Sequence, residues 1–522
     1  MSRVIRLSAA LLALAVMAAP VAAQNFPTDD PVLHSIWDEG MNRSQVYPLA
    51  QTLLDSIGPR VTGSTGLDAA HDWLVGLYEG WGIEAENQQY GTWRGWERGA
   101  VHVDLLEPRV RTLDATLLAW SRGTDGQVEG DVMLLPEPGD DLMAWLRNAR
   151  GAFVLASPNE PTCRPLDQWE ELGDASVYEG IVAAREAAHQ DFGGRAAMFG
   201  DDEAEMVQML ADAGVAGVLT SSWSGGYGTR RVFGDRVGLL PTFSVSCEHF
   251  GMLYRLAAAG QGPVVRADAR AELRGEVPVY NTVGMIRGTE RPDEYVLLSA
   301  HLDSWDGAPG ATDNGTGTII MAEAMRLLNR FYPNPKRTIM VGHWGSEEQG
   351  LNGSRAFVAD HPDIVDALQA VFNQDNGTGK IARVSMQGLM DAGPHFAAWL
   401  SALPGELTSG IDATFPGTPG GGGSDYAAFV CAGAPGFGLW SDSWDYGTYT
   451  WHTNMDTFDK LALDNVRHNA VLIAMLAYMA AEDPDFIDRE RRSVLPMNSR
   501  TGERMEWPAC REPDRSWEGY GH

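Results

Sequence analysis

The sequence predicts an α/β protein: a mixed, mostly parallel sheet sandwiched by helices, with a β-rich module inserted into it. Three observations carry this reading. From Val279 onward, short apolar runs (NTVGMIRG, EYVLLSAH, RTIMVGHW, LQAVFNQD and APGFGLWS) alternate with helical patterns, the arrangement of a sheet covered on both faces. Between residues 130 and 270 the texture changes to VEGDVMLLPE, GAFVLAS, AGVLTSS and LPTFSVS, short runs separated by turn residues. The length of 522 residues, with 44% hydrophobic content and 17 tryptophans, is enough to bury more than one core.

In chain order, residues 1–23 (MSRVIRLSAALLALAVMAAPVAA) place Arg3 and Arg6 before an apolar stretch that ends in small residues at Val21 and Ala23, the pattern of a secretory signal peptide. Residues 24–129 are expected to form the first part of the main domain. They include a helix over 64–82, with Ser64 as its cap and glycine at its end. The insertion follows over 130–270, with helical patterns at 203–213 and 248–259. Residues 271–490 form the remainder of the main domain, with helices from about Thr316 to Asn329 and near 353–360, and residues 491–522 form a C-terminal tail.

Composition excludes some partners. Seventy acidic residues against 39 basic ones give a formal charge of −31, which repels nucleic acid and anionic membrane surfaces. No segment after the leader reaches the roughly 20 apolar residues of a membrane span. Cys163, Cys247, Cys431 and Cys510 lack the CxxC spacing of a thiolate metal site. They permit one or two disulfides, whose pairing spacing alone does not give.

In an open α/β sheet, ligands sit at the carboxyl ends of the strands. Here those ends carry His301-Leu302-Asp303, then Gly345-Ser346-Glu347-Glu348, then Asp375. Asp313 opens the helix that begins near Gly315, and His452 follows in YTWHTNMDTFDK. Singly, these read as a cap, a surface pair and a structural histidine. Their recurrence at consecutive strand ends reads as a metal centre. Two histidines with several carboxylates suit a pair of zinc ions, with cobalt or manganese as substitutes. Asp313 is the natural bridge, because the glycines around it let the backbone bend close. On a strand, residues i and i+2 face one way, so Asp303 is expected to orient the His301 imidazole. Adjacent Glu347 and Glu348 divide the remaining work: one binds metal, and the other takes a proton from a metal-bound water.

Taken together, IGPRVTGS, RGTERPDEYVLLSAHLDSWDGAPGATDNGTG, GSEEQGLNGS, QDNG, GGGGSDYAAF and HTNMDTFDK resemble the M28 family of cocatalytic zinc exopeptidases. The resemblance implies that His301 and Asp375 hold one metal, Glu348 and His452 the other, and that Asp313 bridges them. It also implies Glu347 as general base and Asp303 as the partner of His301. The 130–270 block similarly resembles a protease-associated domain. HLDSWD and RGTERPDE are especially similar to the carboxypeptidase Q branch, whereas DNGTG is equally at home among aminopeptidases. Tyr426 stands where many relatives carry histidine, and Trp451 precedes His452 in place of tyrosine. This leaves Tyr426, Tyr446 and Tyr449 as candidates for stabilising the oxyanion.

The expectation is a secreted or periplasmic dizinc exopeptidase that cleaves terminal peptide bonds with a metal-bridging hydroxide. The segments expected to border the site contain Asp425, Asp442, Asp445 and Asp456 but no lysine or arginine. This favours recognition of a free amine, and hence an aminopeptidase acting on peptides, dipeptides included. The alternatives are a carboxypeptidase or dipeptidase of the carboxypeptidase Q type and a non-catalytic, receptor-like binding protein on the same fold. A glutaminyl-cyclase-type enzyme would more often use one metal. Neither a G-x-S-x-G elbow nor an HExxH helix occurs. The inserted module is expected to shape the substrate cleft, to hold a partner subunit in a homo-oligomer, or to serve as a passive structural cap.

Overall fold

The computed structural model describes residues 26–520, so the expected signal peptide lies outside the described residues. One hydrogen-bonded path of strands runs through the molecule. Its first half has the order Asp412–Thr414, Ile381–Ser385, Gly436–Ser441, Leu368–Asn373, Arg291–His301, Arg337–Trp344 and Val264–Ile286. Gly436–Ser441, Leu368–Asn373, Arg291–His301 and Arg337–Trp344 are mutually parallel, and the strands beyond them on either side join antiparallel.

These central strands read as continuous apolar runs because both of their faces are covered. Successive side chains point to opposite sides. Val296, Leu298 and Ala300 therefore join one core with Ile339, Val341, Ala370 and Phe372, beneath the helices Pro31–Asn42, Thr65–Trp81, Thr316–Phe331 and Leu463–Glu482. Leu297, Met340 and Val371 face the other way, onto Phe357 and Phe429. The helix expected at 64–82 spans Thr65–Trp81. Ser64 Oγ accepts the Leu67 amide at its start, and Gly82 ends it in the left-handed conformation at φ 81°.

A ribbon made of Glu84–Glu107 and Val264–Ile286 carries the chain into a second lobe and back. There the parallel strands Val128–Leu134, Phe153–Leu155, Gly217–Thr220 and Thr242–Val245 form a small sheet. Ala115–Leu117, upstream of residue 130, adds to its edge. The two helical patterns read in this region correspond to Glu203–Ala213 and Cys247–Ala258. Leu142–Asn148, Leu166–Leu172 and Ala175–Ala196 add helix that the sequence pattern does not announce. Ala175–Ala196 buries none of its residues, so its sequence has no apolar stripe to reveal it.

The cysteines pair as Cys163–Cys247 within the lobe and Cys431–Cys510, which fastens the tail. Past Cys510 the tail returns across the molecule. Arg515 O accepts the Thr92 amide at 2.8 Å, and Trp517 packs against Trp93 and Trp120. Among the described residues, no helix is long and apolar enough to cross a membrane.

Candidate metal centre

Three neighbouring parallel strands end at one place, and their register sets His301 beside Trp344 and Ser299 beside Asn373. The residues just past those ends are Asp303, Glu347, Glu348 and Asp375. Asp313 reaches them from the turn Ala311–Gly315, which precedes the helix Thr316–Phe331. The turn passes so close to its neighbours that side chains would not fit. A Cβ at Gly310, which has φ 59°, would lie 2.4 Å from Ser304 Cβ, and one at Gly317 would lie 2.4 Å from Gln374 O. Glycine in the SAHLDSWDGAPGATDNGTG stretch is thus a packing requirement.

Two clusters of ligand-type atoms result, His301 with Glu347 and Asp375, and Asp313 with Glu348 and His452. His301 Nε2 is 3.1 Å from Asp375 Oδ1 and 3.9 Å from Glu347 Oε2. His452 Nε2 is 2.9 Å from Glu348 Oε2. Asp313 touches both clusters, with Oδ1 3.5 Å from His301 Nε2 and Oδ2 3.2 Å from His452 Nε2. Glu347 lies within reach of the His301 cluster, so distance alone does not separate its role from a ligand's.

Asp303 supports the centre differently from the expectation. His301 Nδ1 is 3.0 Å from the backbone carbonyl oxygen of Asp303, while the carboxylate Oδ1 is 3.6 Å away, beyond hydrogen-bond length. The strand ends at His301, so its alternation does not extend to residue 303. The carboxylate instead accepts the amides of Glu347 and Glu348 at 3.0 and 3.2 Å.

Arg60 escaped the sequence reading, and Asp456, named there among the acids bordering the site, braces the turn instead. Arg60, from IGPRVTGS, is fully buried and donates to the carbonyls of Gly58, Leu302, Pro309 and Gly310. Burial lowers its pKa to about 10 despite the nearby Asp303, Asp456 and Asp313. Asp456 accepts the amides of Thr312 and Asp313 at 2.8 to 3.1 Å, which fixes the bridging turn. A sequence signal existed for each, since an arginine in a glycine-proline turn and an aspartate four residues after a ligand histidine both stand inside the quoted motifs.

The second lobe reaches the centre through residues 221–241. Val232 N donates to His452 O at 2.8 Å, holding a histidine whose φ is 59°. The Phe233 and Trp451 rings lie 5.4 and 4.1 Å from the His452 ring. Burial opposes the charge on Asp313, but His301 and His452, with a smaller contribution from the Tyr446 hydroxyl, hold its carboxyl low; of the other candidate tyrosines, Tyr449 is exposed and Tyr426 donates its hydroxyl to Gly422 O.

Electrostatics favour cations here. Burial raises Glu347 well above the usual carboxylate range, and raises Glu348 and Asp425 to about 7 and Asp456 to about 8. Burial also opposes charging His301, but Asp375 and Glu347 push it well above its ordinary value. Asp313 Oδ2, Glu348 Oε1 and His452 Nδ1 are buried without a hydrogen-bond partner. Such a surplus of enclosed, unsatisfied carboxylate oxygens with imidazole nitrogens fits divalent metal and is costly without it.

Residues 281–477 match the model of peptidase family M28. The chain is 26% identical to carboxypeptidase Q of Mus musculus over 456 residues, covering 87% of this chain and 89% of that protein. A peptidase M28 precursor from Shewanella amazonensis SB2B superposes with a TM-score of 0.62 at 22% identity, covering 88% of this chain and 97% of that one. BSAP, a zinc aminopeptidase from Bacillus subtilis, gives a TM-score of 0.52 at 18% identity over 85% of this chain and 97% of that one. The mixed sheet with flanking helices is the fold these structures share with this chain.

Proposed function

We propose that this chain, whose residues 281–477 match the model of peptidase family M28, is a zinc exopeptidase of that family and, within it, a two-metal aminopeptidase. The observation that carries the two-ion reading is Asp313, whose two oxygens face His301 and His452 separately. In this reading His301 and Asp375 hold one zinc ion, Glu348 and His452 the other, and Asp313 both. Ions so placed would polarise the scissile carbonyl and acidify an attacking water.

The protein's own groups supply the rest. Glu347 removes the proton from the water and later delivers it to the leaving amine. Glu347, enclosed in the His301 cluster, is placed to accept and return that proton. Asp303, through the two amides it accepts, keeps Glu347 and Glu348 in register. The Tyr446 hydroxyl, next to Asp313, donates to the developing oxyanion. The receptor-like reading finds no support, since every ligand-type residue expected is present and gathered.

Recognition of a free amine is supported by Asp445, exposed on the cavity beside Thr312. A second reading, a carboxypeptidase or dipeptidase of the carboxypeptidase Q type, is favoured by a basic residue from the second lobe. Arg231 lies 4.8 Å over the Trp451 ring, beside His452, and forms no ion pair among the described residues. We assign the second lobe as a protease-associated-like insertion. With the leader and the two disulfides, the proposed location is periplasmic or extracellular.

Peptides blocked at one end test the assignment. Release of the first residue from carboxyl-blocked peptides supports the aminopeptidase. Cleavage only of amino-blocked peptides, from their carboxyl end, selects the second reading. Metal analysis should return two zinc ions per chain, with activity lost to a chelator and restored by zinc. A single ion in fully active protein overturns the two-metal centre.

A further inference from the structure

His452 is held at φ 59°, and a non-glycine residue in that conformation persists only where its surroundings over-determine it. Those surroundings rest on a second such residue. Trp120, fully buried at φ 61°, packs edge-on against Trp305 at 6.0 Å, and Trp305 meets the His452 ring at 6.1 Å. Trp120 also seats the loop that touches His452 directly. Asp235 N donates to Ala119 O at 2.8 Å, and a Cβ at Gly234 would lie 2.1 Å from the Trp120 ring. Val232 and Phe233, the loop's contacts with His452, are thus set by the same indole.

Trp120 is covered in turn by the C-terminal tail. The Trp517 and Tyr520 rings stand 5.1 and 5.9 Å from it and 5.4 Å from each other. The Arg94 guanidinium lies 4.2 Å over Trp517, and that of Arg236, two residues beyond Gly234, lies 4.9 Å over Tyr520. Burial pushes the Tyr520 hydroxyl up, Arg236 draws it back and Glu348 adds to the rise, which sets this ring on the Glu348 side of the centre. The tail reaches this position under restraint. Cys431–Cys510 fastens it upstream, Asp514 N donates to Asn352 Oδ1 at 2.9 Å, and Arg515 pairs with Asp360 at 2.7 Å. Asn352 belongs to GSEEQGLNGS, the loop that carries Glu348, so one segment touches the supports of both Glu348 and His452.

We infer that Trp517 and Tyr520 are positioning residues for the metal site formed by Glu348 and His452, acting through Trp120 and the loop 232–236. The inference rests on the zinc reading of the centre. It separates the two sites, because the other ligands are held by the sheet. His301 is the last residue of Arg291–His301, and Asp375 lies two residues past Leu368–Asn373. The ion held there should not feel the tail.

The test uses the full chain, stripped of metal and titrated with zinc against a competing chelator, which yields one dissociation constant per ion. Trp517→Ala and Tyr520→Ala should each weaken one ion by about 10-fold, the lower end of what losing a ligand's supporting partner costs, and leave the other within about two-fold. Tyr520→Phe keeps the ring and should keep both constants. His452→Ala identifies the affected ion, since adding Tyr520→Ala to it should change the remaining constant no further. Far-UV circular dichroism checks folding, and Tyr520, only partly buried, carries the test if Trp517→Ala does not fold. Equal weakening of both ions, or a further loss in the His452→Ala background, overturns the inference. A parent that binds two ions while Tyr520→Ala weakens neither defeats the inference alone, whereas a parent that binds no zinc defeats the zinc reading as well.

Discussion

The Asp303 carboxylate accepts the backbone N–H of Glu347 at 3.0 Å, with its second oxygen taking the next amide along the chain. One strand end is thereby fastened to the loop of the adjacent strand, and the two glutamates are aimed by their own backbone. Asp303→Asn replaces one accepting oxygen with a donor that faces an amide N–H. Loss of such a support typically costs 10- to 100-fold in metal affinity or activity, and a drop of about that size in both is expected here. Titration with zinc and steady-state kinetics on the same preparation measure it. Retention of both within two-fold of the parent, by about the scatter of such assays, removes Asp303 from the centre.

The adjacent glutamates should separate when each is neutralised. Glu347→Gln is expected to cut turnover by about 10² to 10⁴-fold with metal content near that of the parent, the size of a general-base contribution. Glu348→Gln should instead release metal from the His452 side. Metal analysis of the two variants, dialysed together, decides between this division and one in which both glutamates are ligands.

Asp313 and His452 offer a complementary comparison. Asp313→Ala removes oxygens that face both clusters, so both ions should be lost together, whereas His452→Ala should leave one. Stoichiometry by mass spectrometry of the intact protein reads this directly. One ion remaining in Asp313→Ala would show that the two clusters are independent.

Arg60 makes a prediction about stability. Its guanidinium meets four backbone carbonyls around the loop that precedes Asp313, a fork that lysine's single ammonium does not reproduce. Arg60→Lys should destabilise the protein by about 3 kcal/mol, since hydrogen bonds to a charged donor contribute roughly 1.5 to 3 each and only some of them are lost. Urea unfolding of metal-free protein is the measurement. A change within 0.5 kcal/mol, about the range of a surface substitution, contradicts the bracing role.

The buried histidines set an acid limit. His71, with Nδ1 2.8 Å from Thr282 Oγ1, and His343, with Nε2 2.6 Å from the Tyr78 hydroxyl, both have their pKa lowered by burial to about 3. Each is neutral in the fold and takes up a proton on unfolding, so its stabilisation is complete above its ordinary value of 6.5 and is lost as pH falls toward 3. Each adds about 1.4 kcal/mol per pH unit to the slope in that window. The raised carboxyls of Glu348 and Asp456 act in the opposite sense, gaining stability as pH falls through about 7 to 8. Comparing His343→Phe with the parent, both metal-free, isolates the histidine, and the variant's slope between pH 6 and 4 should be shallower by about 1.4 kcal/mol per unit.

The sheet and centre were legible where physical constraint acts along the chain. Val296, Leu297 and Leu298 must be apolar because both faces of their strand are covered, and the acids and histidine that follow have no reason to cluster except at a strand end. Supports that act through space were less legible. Arg60 lies far from residues 302–310 in sequence, and its role is visible only once the backbone carbonyls it meets are brought together. Asp303 was read as the carboxylate partner of His301, and in the structure its backbone carbonyl lies nearer Nδ1 than its carboxylate does, because the strand's alternation stops two residues before it. The helix Ala175–Ala196 left no signal at all, since a helix that buries none of its residues need not be periodic. Cys163–Cys247 and Cys431–Cys510 were beyond spacing for the same reason as Arg60.

The ribbon that carries the chain into the second lobe and back also makes that lobe separable as a piece of topology. Arg98 and Ala271 are paired across it, so the points where the chain leaves and returns lie one strand spacing apart. Everything between them could be replaced by a tight hairpin turn without altering the order or direction of any peptidase strand. The obstacle is hydrophobic: Trp93, Trp96 and Trp305 share one core with Phe153 and Phe243 of the lobe. A transplant into a related peptidase would therefore have to carry the tryptophan seam with it, together with the loop that holds His452.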